Sequence, residues 1–113
     1  MSYQKSQQNR WQDRLFLRFS RQIKYQQHKQ MQAEVENLGL DLTSLVGPRQ
    51  NSLLHVAARY NNVEAATYLL SKGCSIHQQN QANECPFYLA VRYRSKDVIR
   101  RLEGIKTFKI LDP

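Results

Sequence analysis

The residues with the clearest chemical potential in this chain are its cysteines and histidines. Cys74 and His77 are three positions apart, and Cys85 follows eight positions later. Thiolates and imidazoles are ligands that zinc prefers, but structural zinc sites use four ligands and the sequence offers no clear fourth. We therefore expect turn residues and a small buried thiol here, with no metal and no cofactor.

His55 is the second candidate for chemistry. A catalytic histidine works beside a nucleophile and is oriented by a third group, usually a carboxylate. The residues around His55 do not form such a pattern. The sequence also lacks a glycine-rich phosphate loop and a paired-carboxylate arrangement. It predicts a protein that is not an enzyme.

A pair suited to binding recurs along the chain. Arg59-Tyr60 is repeated 33 residues later as Arg92-Tyr93. Arginine and tyrosine are enriched among the residues that dominate binding energy at protein interfaces. Helix packing does not require this pair at either place, so the recurrence favours a contact surface. The alternative is a coincidence of solvated polar residues.

The recurring pair belongs to a longer internal repeat. Shifted by 33 residues, the segment 52–60 falls on 85–93. A fixed period of this length is the signature of stacked helical units, each of which needs neighbours to cover its apolar face. The spacing predicts first helices near 53–60 and 87–93, and second helices near 63–71 and 97–103. The apolar positions of the clearer unit are Leu54, Ala57, Ala58, Ala65, Ala66, Leu69 and Leu70.

These residues resemble the ankyrin repeat. The family's Thr-Pro-Leu-His-x-Ala-Ala opening appears at 52–58, and its second helix with the exit glycine appears at 63–73. The resemblance implies an all-α helical repeat stack, an α-solenoid, with two recognisable repeats over about 48–103. It gives His55 a structural role, which is to tie the turn to the start of the helix. In the second repeat Cys85 and Tyr88 replace the threonine and the histidine, so that hydrogen bond is not expected there.

The resemblance also implies where a partner binds. In ankyrin proteins the ends of the first helices and the tips of the turns line a concave face. We expect a protein partner that is acidic at the contact, because the arginine guanidinium matches a carboxylate in a planar, two-point geometry. The residues predicted to bind it are Arg49, Asn51, Arg59, Tyr60, Gln79, Gln81, Glu84, Arg92, Tyr93 and Arg94.

The N-terminal third departs from the repeat pattern. Residues 1–9 are polar and expected to be frayed, after which an amphipathic helix follows with Leu17 lying on its basic side. A second apolar set is out of phase with the first, which predicts a break within 25–30 and two helices. Gly39 is expected to close the second helix. The first set is Trp11, Leu15, Phe16, Phe19 and Ile23, and the second is Met31, Val35 and Leu38.

The C-terminal repeat carries polar residues where its predecessor is apolar. Arg101 and Glu103 stand in for Tyr68 and Leu70, which is typical of a terminal, capping repeat. Gly104 is expected to end the last helix, and 105–111 either folds back or awaits a partner. The predicted organisation is a polar tail with a basic amphipathic helix (1–19), a degenerate first repeat (20–47), an ankyrin repeat (48–80), and a C-terminal capping repeat with tail (81–113).

The net charge of +8 is concentrated at the two ends of the chain. Residues 1–30 carry seven Lys or Arg against Asp13 alone. An alternative function is therefore nucleic-acid or anionic-membrane binding through the basic N-terminal helix. A third interpretation is that the apolar face of this helix caps the first repeat while its basic face is solvated.

The hydropathy pattern and the cysteine content bear on where the protein is located. The sequence has no apolar run long enough to span a bilayer and no apolar core of a secretory signal near its start. Two cysteines are too few for a disulfide framework, which favours a reducing compartment. We expect a cytoplasmic or otherwise intracellular protein, with export by a signal-free route still open.

Overall fold

The computed structural model describes the backbone of residues 2–111 and the side chains of residues 11–105. Over this part the chain is all-α: six helices and one short 3₁₀ turn, with no strand beyond an isolated bridge between Val46 and Ser52. The helices are α1 (Ser2–Lys24), α2 (His28–Leu38), α3 (Leu53–Arg59), α4 (Val63–Ser71), α5 (Pro86–Arg92) and α6 (Lys96–Leu111), and the 3₁₀ turn is Pro48–Gln50.

The helices form three consecutive pairs arranged in two rows. α1, α3 and α5 pack side by side as an inner row, and α2, α4 and α6 contact them as an outer row. Alanines at the junctions allow the helices to approach closely, and Ala57, Ala58, Ala65 and Ala66 are all fully buried. This confirms the predicted repeat stack. Its largest fully buried side chains include Phe19, Ile23, Met31, Leu53, Leu54, Leu69, Val98 and Leu102.

Short-range capping fixes where the helices begin and end. Ser52 caps α3 by accepting a hydrogen bond from the backbone N–H of His55, and Asn62 caps α4 by accepting one from Ala65. Gly39 ends α2 in the left-handed conformation, at φ 60°, as the sequence predicted. Glycine alone adopts that conformation without a steric penalty.

Asparagines in the turn between α3 and α4 bond across the repeat boundaries. The Oδ1 atom of Asn61 accepts hydrogen bonds from the backbone N–H groups of Asp97 and Val98, at the start of α6. In the other direction, the side chain of Asn62 donates to the carbonyl oxygen of Ile23 at 2.9 Å. The central repeat is therefore joined to both neighbours by directional bonds as well as by apolar contact.

The N-terminal helix covers the first repeat with its apolar face. Phe16, Phe19 and Ile23 are buried in the common core, and the ring of Phe16 lies where a Cβ on Gly47 would have to sit. The predicted break is present between α1 and α2, with Gln26 in the left-handed region. This packing agrees with the capping interpretation of the helix. Trp11, which the sequence placed on the apolar face, is instead 60% exposed.

Three further details correct the predictions. The backbone of residues 2–9, which the sequence predicted to be frayed, forms the first part of α1. Leu38, at the last position of α2, is exposed instead of buried. α6 continues through Gly104 to Leu111, so the segment 105–111, for which the sequence left open folding back or awaiting a partner, is part of the helix. The side chains of 106–111 lie outside the described set.

Among the described residues, no helix is both long enough and apolar enough to cross a membrane.

Candidate functional site

The cysteine and histidine cluster does not form a metal centre in the described region. Cys74 is buried with its Sγ atom 3.8 Å from the carbonyl oxygen of Leu42, and burial, reinforced by the charge of Asp41, raises the pKa of its thiol to about 11. A protonated thiol is a poor metal ligand and a poor nucleophile. His77 is exposed, and Cys85 precedes α5 without a side-chain capping bond. No three metal-ligating side chains within 11–105 come together.

His55 is fully engaged in structural hydrogen bonds. The backbone N–H of Ser52 donates to its Nδ1 atom at 3.0 Å, so the proton resides on Nε2, which donates to the carbonyl oxygen of Glu84 at 2.7 Å. Burial lowers the pKa of His55 and favours this neutral form. The Oγ atom of Ser52 is also 2.8 Å from Nδ1, but Ser52 is only 3% exposed. A buried serine and an imidazole without a free nitrogen form a helix cap, as predicted, and not a nucleophilic pair.

An open groove runs along the inner row of helices and has a volume of about 790 Å³. One wall is α1, the floor is made by α3 and α5, and the far wall is made by the turns that precede α3 and α5. Both repeated Arg-Tyr pairs, at the ends of α3 and α5, line this groove. The lining residues that are used below are Phe16, Leu17, Arg49, Asn51, Val56, Arg59, Tyr60, Asn80, Gln81, Glu84, Leu89, Arg92 and Tyr93.

The two Arg-Tyr pairs form one continuous cluster in this groove. The guanidinium carbon of Arg59 lies 5.2 Å from the ring centre of Tyr60 and 5.3 Å from that of Tyr93. The guanidinium of Arg92 lies 5.7 Å from the ring of Tyr93, and the ammonium of Lys24 lies 5.6 Å from the ring of Tyr60. At these distances a cation is attracted to the aromatic face. The cluster places Arg59 between two aromatic rings.

The two arginines differ in their ionic partners. Arg92 donates to the Oε2 atom of Glu84 at 3.3 Å, and the other oxygen of Glu84 accepts a hydrogen bond from Asn80 at 3.1 Å. Within residues 11–105, Arg59 has neither an ion pair nor a side-chain hydrogen bond. Arg49, the third arginine that lines the groove, likewise has no ion pair or side-chain hydrogen bond within residues 11–105, so one groove arginine is paired and two are not.

The far wall of the groove is a pair of turns that hydrogen-bond to each other. The backbone N–H of Gln81 donates to the carbonyl oxygen of Arg49 at 2.8 Å, and the side chain of Asn80 donates to Oδ1 of Asn51 at 2.9 Å. Asn80 is buried, and its own Oδ1 accepts from the backbone of Glu84. These bonds hold the tips in a fixed spacing, which is a precondition for a preorganised binding face.

The structure brings together most of the residues that the sequence predicted to bind a partner. Arg49, Asn51, Arg59, Tyr60, Gln81, Glu84, Arg92 and Tyr93 line the groove, whereas Gln79 and Arg94 are exposed outside it. Arg94 occupies the turn after α5 with a positive φ of 55°. Sequence reasoning missed two groove residues with distinct roles, Leu17 and Asn80. Leu17 could have been found from the sequence, because it is the one apolar residue on the basic side of the amphipathic helix.

The pairs of helices, the left-handed exits and the inner groove define a stacked helical repeat protein. A family model described as ankyrin repeats, in three copies, matches residues 25–108, which is most of the chain. The chain belongs to the ankyrin-repeat family, and the resemblance that the sequence indicated is confirmed.

One curated relative is an L-asparaginase of Dirofilaria immitis. It is 38% identical over 66 residues, a match that covers 58% of this chain and 11% of that protein. The chain therefore spans about a tenth of this relative's length. The match shows that one segment of the two sequences is similar. The asparaginase activity in the relative's name belongs to that larger protein.

Proposed function

We propose that this chain is a non-catalytic protein-binding module that holds an acidic segment of a partner in the groove. The observation that carries the proposal is Arg59, an exposed guanidinium between Tyr60 and Tyr93 that has no carboxylate partner among the described residues. Stacking on the rings restricts the guanidinium, so less rotamer freedom is lost when a ligand binds. Arg49 and Lys24 add positive charge at the edges of the same cluster.

The competing function is nucleic-acid or anionic-membrane binding through α1. Lipid insertion would need the apolar face of that helix, but Phe16, Phe19 and Ile23 are buried in the protein core. One of its arginines, Arg18, is paired with Glu34 at 2.9 Å. These contacts weigh against membrane binding. Electrostatic binding of nucleic-acid phosphates by α1 remains as the alternative function.

The test compares the two groove arginines with one outside the groove. The full chain is used to capture a protein partner, the partner is identified by mass spectrometry, and its Kd is measured for Arg59→Ala, Arg92→Ala and Arg100→Ala. Arg100 is exposed on α6 and provides the same change of charge. We expect Arg59→Ala to weaken binding by about 1–3 kcal/mol, with a smaller loss for Arg92→Ala because Glu84 already neutralises Arg92.

A lysine substitution then separates geometry from charge. Arg59→Lys keeps the positive charge but loses the planar fork, so it is expected to restore little of the affinity. Unchanged circular dichroism and melting temperature establish that each variant is folded. Equal losses for Arg59→Ala and Arg100→Ala would show that net charge governs binding, and the nucleic-acid alternative would then take precedence.

A further inference from the structure

Leu17 gives the groove an apolar side that the proposed function has not used. It is 49% exposed, although it lies on α1 between Arg14, Arg18 and Arg21. Single exposed leucines are common on protein surfaces and carry no meaning by themselves. Leu17 differs because it lines the same groove as the half-buried Val56, next to which the groove lining also includes Phe16 and Leu89, only 4% and 8% exposed.

The charged side chains that line the groove differ in whether they already have an ionic partner. Arg59 offers its N–H groups without a described carboxylate partner, whereas Arg92 is held by Glu84. Tyr60 and Tyr93 flank Arg59 and also line the groove. A ligand that occupies the groove therefore meets the unpaired Arg59 and Arg49, two aromatic rings and the exposed side chain of Leu17.

Resting on the proposed function, we infer that the ligand is a peptide segment in which one Asp or Glu is accompanied by a nearby apolar side chain. The carboxylate binds Arg59, and the apolar side chain packs against Leu17 and Val56. A nucleic-acid strand satisfies the charge of the groove but has no aliphatic side chain to cover this surface. α1 therefore contributes to specificity as well as to the stability of the fold.

The experiment is a selection of random peptides displayed on phage against the immobilised full chain. Enriched sequences are synthesised with a fluorophore, and their Kd values are measured by fluorescence polarisation. Leu17→Ser is compared with Leu38→Ser, because Leu38 is 63% exposed on α2 and lies outside the groove. Arg59→Ala is measured on the same peptides, and each peptide is also made with its apolar residue changed to Ser.

We expect enriched peptides to combine an acidic and an apolar residue. Leu17→Ser should weaken them about tenfold, as should loss of the peptide's apolar residue, while Leu38→Ser has no effect. If Leu17→Ser changes the Kd no more than Leu38→Ser while Arg59→Ala still weakens binding, the inferred apolar contact is contradicted and the proposed function stands. If Arg59→Ala has no effect, or no acidic peptide is enriched, the proposed function and this inference both fall.

Discussion

His55 and Arg59 are four residues apart on α3, yet their surroundings give them opposite roles. His55 is buried, and both of its ring nitrogens are committed to Ser52 and the carbonyl of Glu84. Arg59 is exposed, and its guanidinium lies over the rings of Tyr60 and Tyr93. The first side chain is committed to structural hydrogen bonds, and the second has no ion pair or side-chain hydrogen bond among the described residues.

The buried state of His55 makes the stability of the fold depend on pH. Because burial lowers the pKa of His55 in the folded state, the unfolded chain binds a proton near pH 6.5 that the folded chain does not take up. Stability from this group is therefore fully present above about pH 6.5 and decreases as the pH falls below it, by up to about 1.4 kcal/mol per pH unit.

Urea unfolding between about pH 7.5 and 5.5 measures this dependence. His55→Asn should lower stability at neutral pH and flatten the slope, because the titrating group is gone. His77→Asn is the matched control, since His77 is an exposed imidazole, and it should keep the slope of the unmodified chain. A slope that persists in His55→Asn would assign the pH dependence to a different residue.

The location of the Arg-Tyr pairs was predictable because the repeat period supplied a second copy of the pair. The Arg-Tyr pairs could be aligned with each other, so their common location followed from the 33-residue shift. Asn80 could not be found in this way, because its role depends on Asn51 and Glu84 being folded against it. Leu17 was noticed as an exception, but its neighbours across the groove are distant in sequence.

At the level of whole elements, the position of α1 depends on one close approach. The ring of Phe16 packs against the backbone of Gly47, and a Cβ at that glycine would overlap the ring. Gly47 has an extended φ of −112°, so the requirement is one of space and not of backbone conformation. By contrast, a Cβ at Gly104 in α6 would meet no atom within 4 Å.

Alanine at these two glycines should therefore act in opposite directions. Gly47→Ala forces α1 away from the turn and should cost about 1–3 kcal/mol of unfolding free energy. Gly104→Ala should stabilise the protein by about 0.5–1 kcal/mol, because alanine favours a helix interior more than glycine does. Both values come from chemical denaturation.

A double variant tests whether Phe16 is the cause. Phe16→Ala removes the ring atoms that a Cβ on Gly47 would meet, so Gly47→Ala should cost less in the Phe16→Ala background than in the unmodified chain. Equal costs in the two backgrounds would place the steric conflict elsewhere.

Element boundaries were predictable only where a local signal marked them. Gly39 and the polar stretch before α2 gave clear stops, and the structure has a boundary at each. Gly104 was also predicted to end a helix, but its φ is not positive and α6 continues to Leu111. A glycine ends a helix only if a left-handed turn is compatible with the packing that follows, and that packing is not visible in sequence.

On the scale of the whole molecule, the N-terminal helix belongs to the folded stack. Phe16 and Phe19 are buried with residues from the later repeats, so a truncation intended to remove the basic charge would also remove part of the core. Each buried phenylalanine contributes about 3–5 kcal/mol, which is comparable with the total stability of a small domain.

Deleting residues 1–19 should therefore abolish cooperative thermal unfolding, as followed by circular dichroism. Leu17→Ala is the control, since Leu17 lies on the same helix but is exposed, and it should melt close to the unmodified chain. A truncated chain with an unchanged melting temperature would show that α1 is dispensable for folding. The nucleic-acid alternative is better tested by changing the exposed Arg14 and Arg21 to glutamate within the full chain.

The asparagines between α3 and α4 have a consequence for the order in which backbone amides become accessible to solvent. In a stack joined by apolar contacts alone, the end units open first and their amide hydrogens exchange faster than those in the middle. Here Asn61 holds the start of α6, and Asn62 holds the end of α1 at Ile23. Opening either end of the stack breaks one of these hydrogen bonds to the central repeat. The slowest-exchanging amides of α1, α4 and α6 should therefore give the same free energy of opening in native-state hydrogen exchange.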